Sequence, residues 1–360
     1  GDIYSIGFIN NYYIYLIMYI ENKQIKKYIS FWLILMFWII TIMIIIGGLT
    51  RLTDSGLSIT EWQLFSGFLP PLTESDWKNY FNLYKEIPEF KLQNYSMTLQ
   101  EFKVIFWWEW IHRFLGRLMG ISFLIPLFFF SFKIGFKKLM SLYLIFILIC
   151  FQGFIGWYMV SSGLIDRVDV SHFRLSIHLI IAFLILSLIL WNYFNLKYAS
   201  FQNKKLNFFI PFIFLILIFF QIIIGAFVSG MDAGNIYNSW PLMGSTYFPN
   251  DSEIINLFNL SAFSDPSLVQ FMHRNLAYMI FIFYLYILIK IYKNKLIEFF
   301  FSINLLGLLL IIQIILGVLT LTHGAHIVLA SMHQISSIFL VSSSVYLLYL
   351  NSRSNKQFSI

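Results

Sequence analysis

Eight apolar stretches long enough to cross a bilayer constrain this chain more than any other feature. They fall at about 31–49, 106–131, 139–161, 173–196, 207–229, 269–292, 297–321 and 327–350. A hydrocarbon layer of roughly 30 Å takes about 20 helical residues, and within it backbone amides must be satisfied inside the segment. The expected fold is therefore an all-α integral membrane protein with eight transmembrane helices. Composition agrees where it bears on this, with 59% of residues hydrophobic and 11% charged, a balance unlike that of soluble domains. The formal charge of +7 does not point to nucleic acid, because the basic residues are spread over short connections between apolar runs. Cys150 is the one cysteine, which excludes an internal disulfide and a cysteine metal site. Its apolar surroundings suggest a buried small hydrophobe.

Charge orients the helices. Lys23, Lys26, Lys27, Lys133, Lys137, Lys138, Lys197, Lys204, Lys205, Lys290, Lys293, Lys295, Arg353 and Lys356 all fall on one side of the membrane. Most acidic residues, from Asp54 and Glu61 to Asp251 and Asp265, lie in the alternate connections. By the positive-inside rule both termini face the cytoplasm or matrix, and loops 50–105 and 230–268 face out. Those loops are rich in Trp, Tyr, Pro and Gly, so they are expected to be folded caps. Residues 1–30 read as an interfacial or disordered leader, too short in apolar run to span. Residues 31–196 and 197–351 then form two four-helix bundles, followed by a tail over 352–360.

The chain repeats itself. His112 and His273 are 161 residues apart, as are Gln152 and Gln313, Gly156 and Gly317, and Gly163 and Gly324. His178 matches His333 at 155. Ile44-Ile45-Ile46-Gly47-Gly48 leading to Asp54-Ser55-Gly56 resembles Ile222-Ile223-Ile224-Gly225-Ala226 leading to Asp232-Ala233-Gly234. Four spans per copy give both copies the same orientation, so they are parallel repeats about a pseudo-twofold axis along the membrane normal.

In this topology His112 and His273 open the second helix of each bundle, and His178 and His333 open the fourth. Two imidazoles on facing helices are what axial ligation of a heme iron requires, and ionisable groups inside a membrane are functional by default. His172, His323 and His326 have no partner under the repeat and read as loop or helix-end residues. Arg51, Arg113, Arg117, Arg174 and Arg274 cluster at the same outer level. They are suited either to anchoring at the interface or to bidentate binding of heme propionates.

The halves also differ. Glu109 aligns with Gln270, so one bundle alone places a carboxylate just before its histidine. Such a group can accept a proton or stabilise a developing cation on substrate, or it can simply pair with Arg113 or His112. The residues by themselves lead to a heme-binding membrane redox protein. A non-catalytic bis-histidine diheme electron-transfer cytochrome and a transporter built from parallel repeats remain alternatives at this point.

Several phrases narrow this further. Gly47-Gly48-Leu49-Thr50-Arg51-Leu52-Thr53-Asp54-Ser55-Gly56-Leu57-Ser58, Glu109-Trp110-Ile111-His112-Arg113, Gln152-Gly153-Phe154-Ile155-Gly156-Trp157-Tyr158-Met159-Val160, Phe173-Arg174-Leu175-Ser176-Ile177-His178, Asp232-Ala233-Gly234-Asn235-Ile236-Tyr237-Asn238 and the His273 and His333 segments closely resemble the heme A synthase family, in its alphaproteobacterial and mitochondrial form. The resemblance implies an enzyme that oxidises a ring methyl group of heme O to the formyl group of heme A by successive hydroxylations; capture of a cation-like intermediate by water near Glu109 is the mechanism expected here. It implies heme b on His273 and His333 with Arg274 nearby. Substrate heme O would lie on His112 and His178 with Arg51, Arg113 and Arg117, and Glu109 would be the essential carboxylate. It further implies a bacterial cytoplasmic or mitochondrial inner membrane, and a heme O-producing farnesyltransferase and cytochrome oxidase assembly factors as partners. A homo-oligomer is compatible with it. Some relatives carry a cysteine pair in the first outer loop, and this chain has none there, so a thiol mechanism is not expected.

Overall fold

The computed structural model describes residues 20, 22–62, 66–198 and 206–352. Most of the expected leader and nearly all of the expected tail lie outside them, as do Lys204, Lys205, Arg353 and Lys356. The first helix, α1, covers Lys23–Leu52. It starts well before its apolar run because the Asn22 side chain caps it, accepting from the backbone N–H of Gln24 and Ile25. The first outer loop then forms α2 (Glu74–Tyr84) and α3 (Pro88–Leu92). A capping box between Thr98 and Glu101 opens α4, Leu99–Ile134. Its 36 residues extend over roughly 54 Å, so its first turns belong to the cap rather than to the hydrocarbon.

The remaining helices are α5 (Met140–Asp166), α6 (His172–Lys197), α7 (Phe209–Gly230), α8 (Pro266–Lys293), α9 (Phe300–Thr322) and α10 (Ile327–Ser352). Eight helices among the described residues are long and apolar enough to cross a membrane, which makes this a multi-pass membrane protein in a lipid environment. Helices α1, α4, α5 and α6 close one ring of contacts, and α7, α8, α9 and α10 close another. The rings meet through their first and last helices: α6 packs on α7, α10 on α1 and α6, and α1 on α7.

Packing differs along each bundle. Toward the basic side, Trp32, Leu33, Met36, Phe123, Leu127 and Leu186 fill the first ring, and Phe214, Ile287, Phe299, Ile303 and Val341 belong to the same continuous core in the second. Toward the other side the filling stops. On α4 no residue from Ile111 to Leu118 is buried, although Glu109 before that stretch and Met119 after it are. On α8 the same gap runs from Phe271 to Met279, between buried Gln270 and Ile280. A helix always turns some side chain inward, so a span of this length with none buried marks an interior that protein does not fill. Cys150 is exposed on the surface of α5 rather than buried as expected. An apolar neighbourhood does not separate core from lipid-facing positions in a spanning helix, because lipid is as apolar as the core.

The first outer loop has a core of its own, built from Leu57, Ile59, Trp77, Phe81, Tyr84 and Ile87 with Phe102, Ile105 and Phe106 of α4. It is a folded cap, as its aromatic content suggested. Inside it Glu89 is only 3% exposed and accepts hydrogen bonds from the Tyr84 hydroxyl at 3.0 Å and the Asn94 amide at 3.3 Å. Burial pushes its carboxyl from 4.5 up to about 8. The folded cap thus holds the proton more tightly than the unfolded loop, so stability is fully present below about 4.5 and declines as the pH rises through about 8. Limited proteolysis of residues 74–97 should therefore be severalfold faster at pH 8.5 than at pH 6, and Glu89→Gln should abolish the difference. Equal cleavage of the unsubstituted chain at the two pH values would contradict a buried protonated Glu89.

Candidate heme sites

The two hollows are where the histidines meet. His112 of α4 and His178 of α6 face each other with ring centroids 6.2 Å apart and planes at 69°. His273 of α8 and His333 of α10 do the same at 6.5 Å and 77°. Each ring is let in by a glycine on an adjacent helix. A Cβ added at Gly47 would meet His112 at 3.0 Å, at Gly156 His178 at 3.1 Å, at Gly225 His273 at 3.0 Å and at Gly317 His333 at 2.9 Å. All four positions are closer than ordinary van der Waals contact, so a larger residue would displace the imidazole.

These distances bear on what the pairs can hold. A metal–imidazole bond is about 2 Å, and the ring centre lies about 1.1 Å behind its nitrogen, so two axial imidazoles on one ion stand roughly 6 Å apart. Both pairs match that separation. Among the described residues no group of three or more His, Cys, Asp or Glu forms a metal site. Two donors are few for a bare ion, and they are the number that an iron already held in a macrocycle requires. The Nδ1 atoms of His178 and His273 are buried without a hydrogen-bond partner, another sign that the chain alone does not satisfy the site. The donor set and spacing of both pairs suit a heme iron.

Glutamines stand next to the rings. Gln221 donates to the backbone carbonyl of His273 at 3.0 Å and lies 3.3 Å from its Nε2. Gln152 donates to the carbonyl of His178 at 2.9 Å. Gln313 lies 3.3 and 3.4 Å from the two nitrogens of His333. The sequence shows Gln152 and Gln313 as a repeat match without revealing what they touch. Gln221 was not singled out, though a lone amide in an apolar run was the available signal.

Glu109 is 3% exposed and has both oxygens engaged. Arg113 donates to Oε1 from Nε at 3.0 Å and from Nη2 at 2.6 Å, while the Ser58 hydroxyl and the Ile59 N–H each donate to Oε2 at 2.7 Å. Arg113 also reaches the carbonyls of Ile59 and Glu61. Of these partners, the sequence points only to Arg113. In the second bundle Gln270 and Arg274 occupy the same places. The Gln270 amide donates to the carbonyls of Ala233 and Tyr237, and Arg274 donates to Gln270 and to the carbonyls of Tyr237, Ser239 and Leu242. The first outer loop thus offers donors to a carboxylate, and the second offers acceptors to an amide. Each pair clamps its loop to the helix that carries the histidine. Removing one partner of a buried ion pair costs about 3–5 kcal/mol, so Arg113 is a strong tie.

The other arginines occupy the outer rim. Arg51 spans the two halves, bonded to Asp54 at 2.6 Å, Asp232 at 3.1 Å and the Ser229 carbonyl at 2.9 Å, with Asp169 at 3.9 Å. Asp54 and Asp232 have the same left-handed conformation, φ 47° and 50°, so the matched loop phrases also match in backbone. Arg117 lies over the Phe68 ring at 5.4 Å. Arg174 donates to the Ser162 hydroxyl and lies over the Tyr158 ring at 4.8 Å. The structure does not bring the remaining histidines to either pair. His172 lies tilted against Phe173 and edge-on to Phe227, and His323 and His326 are exposed with local backbone partners.

Residues 30–345 match the model of a family described as cytochrome oxidase assembly protein. The heme A synthase of Pelagibacter ubique (strain HTCC1062) is 50% identical over 344 residues, covering 93% of this chain and 100% of that protein. The chain belongs to the heme A synthase family. Heme A synthases of Rickettsia bellii (strain OSU 85-389) and Rickettsia prowazekii (strain Madrid E) are 42% and 41% identical, each covering at least 89% of this chain and 97% of the relative. Membership of this family does not favour the electron-transfer cytochrome.

The glycine contacts generate a direct expectation. Gly317→Ala should push the His333 ring aside and lower the heme content of the purified protein. Gly153→Ala, at a position with nothing within 4 Å, should leave it unchanged. The pyridine hemochrome spectrum per mole of protein measures both, and equal heme in the two variants would mean that His333 does not need its glycine.

Proposed function

We propose that this chain is a heme A synthase, an oxidoreductase that converts a ring methyl group of heme O to a formyl group by successive hydroxylations, with water supplying the oxygen. The observation that carries this reading is the pair of facing-histidine hollows in a chain of this family. Substrate heme O is held by His112 and His178, with Arg51, Arg113 and Arg117 available to its propionates. Heme b is the resident cofactor on His273 and His333, with Arg274 beside it. When bound, heme b supplies a one-electron acceptor within the membrane.

Glu109 is the candidate catalytic residue. Its negative charge, fixed by Arg113, Ser58 and Ile59 three residues before His112, is placed to stabilise positive charge developing on substrate carbon. The clamp role of the same residue is separable by experiment. The parallel-repeat reading, with bundles 31–196 and 197–351 related by a pseudo-twofold axis, is supported by the four recurring glycine–histidine contacts and the paired left-handed aspartates. The positive-inside distribution supports placing both termini on the cytoplasmic or matrix face of a bacterial cytoplasmic or mitochondrial inner membrane. A farnesyltransferase that makes heme O and factors of cytochrome oxidase assembly are the partners that this chemistry calls for.

The test is heme extraction and chromatography from membranes of a heme O-accumulating host, with and without the chain. Heme A should appear only with it, and persistence of heme O alone beside two stable bis-histidine hemes would point instead to an electron-transfer cytochrome. Glu109→Gln should reduce conversion at least about a hundredfold, the scale of one preorganised electrostatic contact, while Ser58→Ala, which removes one loop donor to the carboxylate, should lower it far less. Full conversion in Glu109→Gln would remove Glu109 from the chemistry, and an equal loss in Ser58→Ala would leave it only the clamp. His273→Ala should remove the resident heme from the visible spectrum.

A further inference from the structure

The internal repeat provides each ligand with its own control. His178 and His333 are equivalent, and so are Gln152 and Gln313, yet the two sets are wired differently. In the second bundle His333 Nδ1 donates to the backbone carbonyl of Gln313 at 3.1 Å, and the Gln313 amide lies along the ring. The Ser336 hydroxyl donates to Gln313 Oε1 and also reaches the His333 carbonyl at 2.9 Å. In the first bundle the place of Ser336 is taken by Ile181, which is buried and has no hydroxyl. There Gln152 turns to the His178 carbonyl instead, and both its Oε1 and His178 Nδ1 are left without partners.

We infer that Ser336 and Gln313 are positioning residues that pre-orient His333 as a strong axial ligand, making the second bundle the tight heme position and the first the exchangeable one. The inference rests on the proposed assignment of heme b to His273 and His333. An imidazole whose second nitrogen donates to a carbonyl has its tautomer and orientation set and its ligating nitrogen made more basic. Here that carbonyl is the backbone of Gln313, and the Gln313 amide, held by the Ser336 hydroxyl, lies along the ring and keeps Nδ1 on that carbonyl. Such outer contacts commonly change affinity by 10–100-fold. His178 lacks them, which suits a site whose occupant must leave as product. A more basic ligand also favours ferric over ferrous iron, so the same contacts lower the potential of the resident heme.

The experiment uses the full chain purified in detergent, comparing the unsubstituted protein with Ser336→Ala, Ser336→Thr and Gln313→Leu. Two quantities are read: the rate of heme transfer to excess apomyoglobin and the midpoint potential of the heme that remains. Ser336→Ala and Gln313→Leu should release heme about tenfold faster. If that loss falls on the ferric form, the potential rises by about 59 mV, the one-electron equivalent of a factor of ten. Ser336→Thr, which restores the hydroxyl, should return both values toward those of the unsubstituted chain. Unchanged release and potential in both Ser336→Ala and Gln313→Leu would overturn the inference while leaving the heme assignment in place. If His273→Ala leaves the spectrum unaltered, the assignment itself fails, and this inference with it.

Discussion

Each of the four imidazoles lies against a glycine one helix away, and the hollow interior of both bundles depends on that contact. A side chain at Gly47, Gly156, Gly225 or Gly317 would occupy the space the ring needs. With the ring drawn back against bare backbone, the centre of the bundle at that level stays unfilled while the two ring centres stand 6.2 and 6.5 Å apart. The cost of such a hollow is lost packing. The densely packed half of each bundle toward the basic side, where Phe123, Leu127, Phe299 and Ile303 are almost fully buried, offsets it. Tight packing below and an open level above are two parts of one arrangement.

The outer loops depend on the same helices through a different kind of bond. Glu109 with Arg113, and Gln270 with Arg274, each tie a loop to the turn that carries a histidine. The difference between carboxylate and amide has a local origin, because one loop presents an N–H and a hydroxyl and the other presents carbonyls. It also has a chemical consequence, since among the described residues the matching position carries a carboxylate in the first bundle and a neutral amide in the second. A residue can serve both purposes. A charge held rigidly by its partners needs no reorganisation when positive charge develops nearby.

Much of this was legible in the sequence. The eight spans follow from apolar length, the histidine pairs from the repeat, and their placement on facing helices from counting spans. The Glu109–Gln270 difference was visible as well. Less legible were the starts of α1 and α4, which lie well before their apolar runs because Asn22 and Thr98 cap polar turns. Cys150 was misjudged because a spanning helix is apolar on every side. The roles of Gln221, Gln313 and Ser336 were out of reach, since a polar residue in an apolar run announces that it has a partner without saying which one.

The sequence by itself determined the membrane-spanning architecture, the matched spacings between its halves and the four candidate ligands. Those features are carried by hydrophobic length and by spacing along one chain. Tertiary structure alone decided that the imidazoles stand 6.2 and 6.5 Å apart, that Glu109 is bound to Ser58 and Ile59, and that equivalent histidines differ in their hydrogen bonds. Hydrogen bonds and close contacts between helices depend on which faces meet and at what height, and no single helix encodes that.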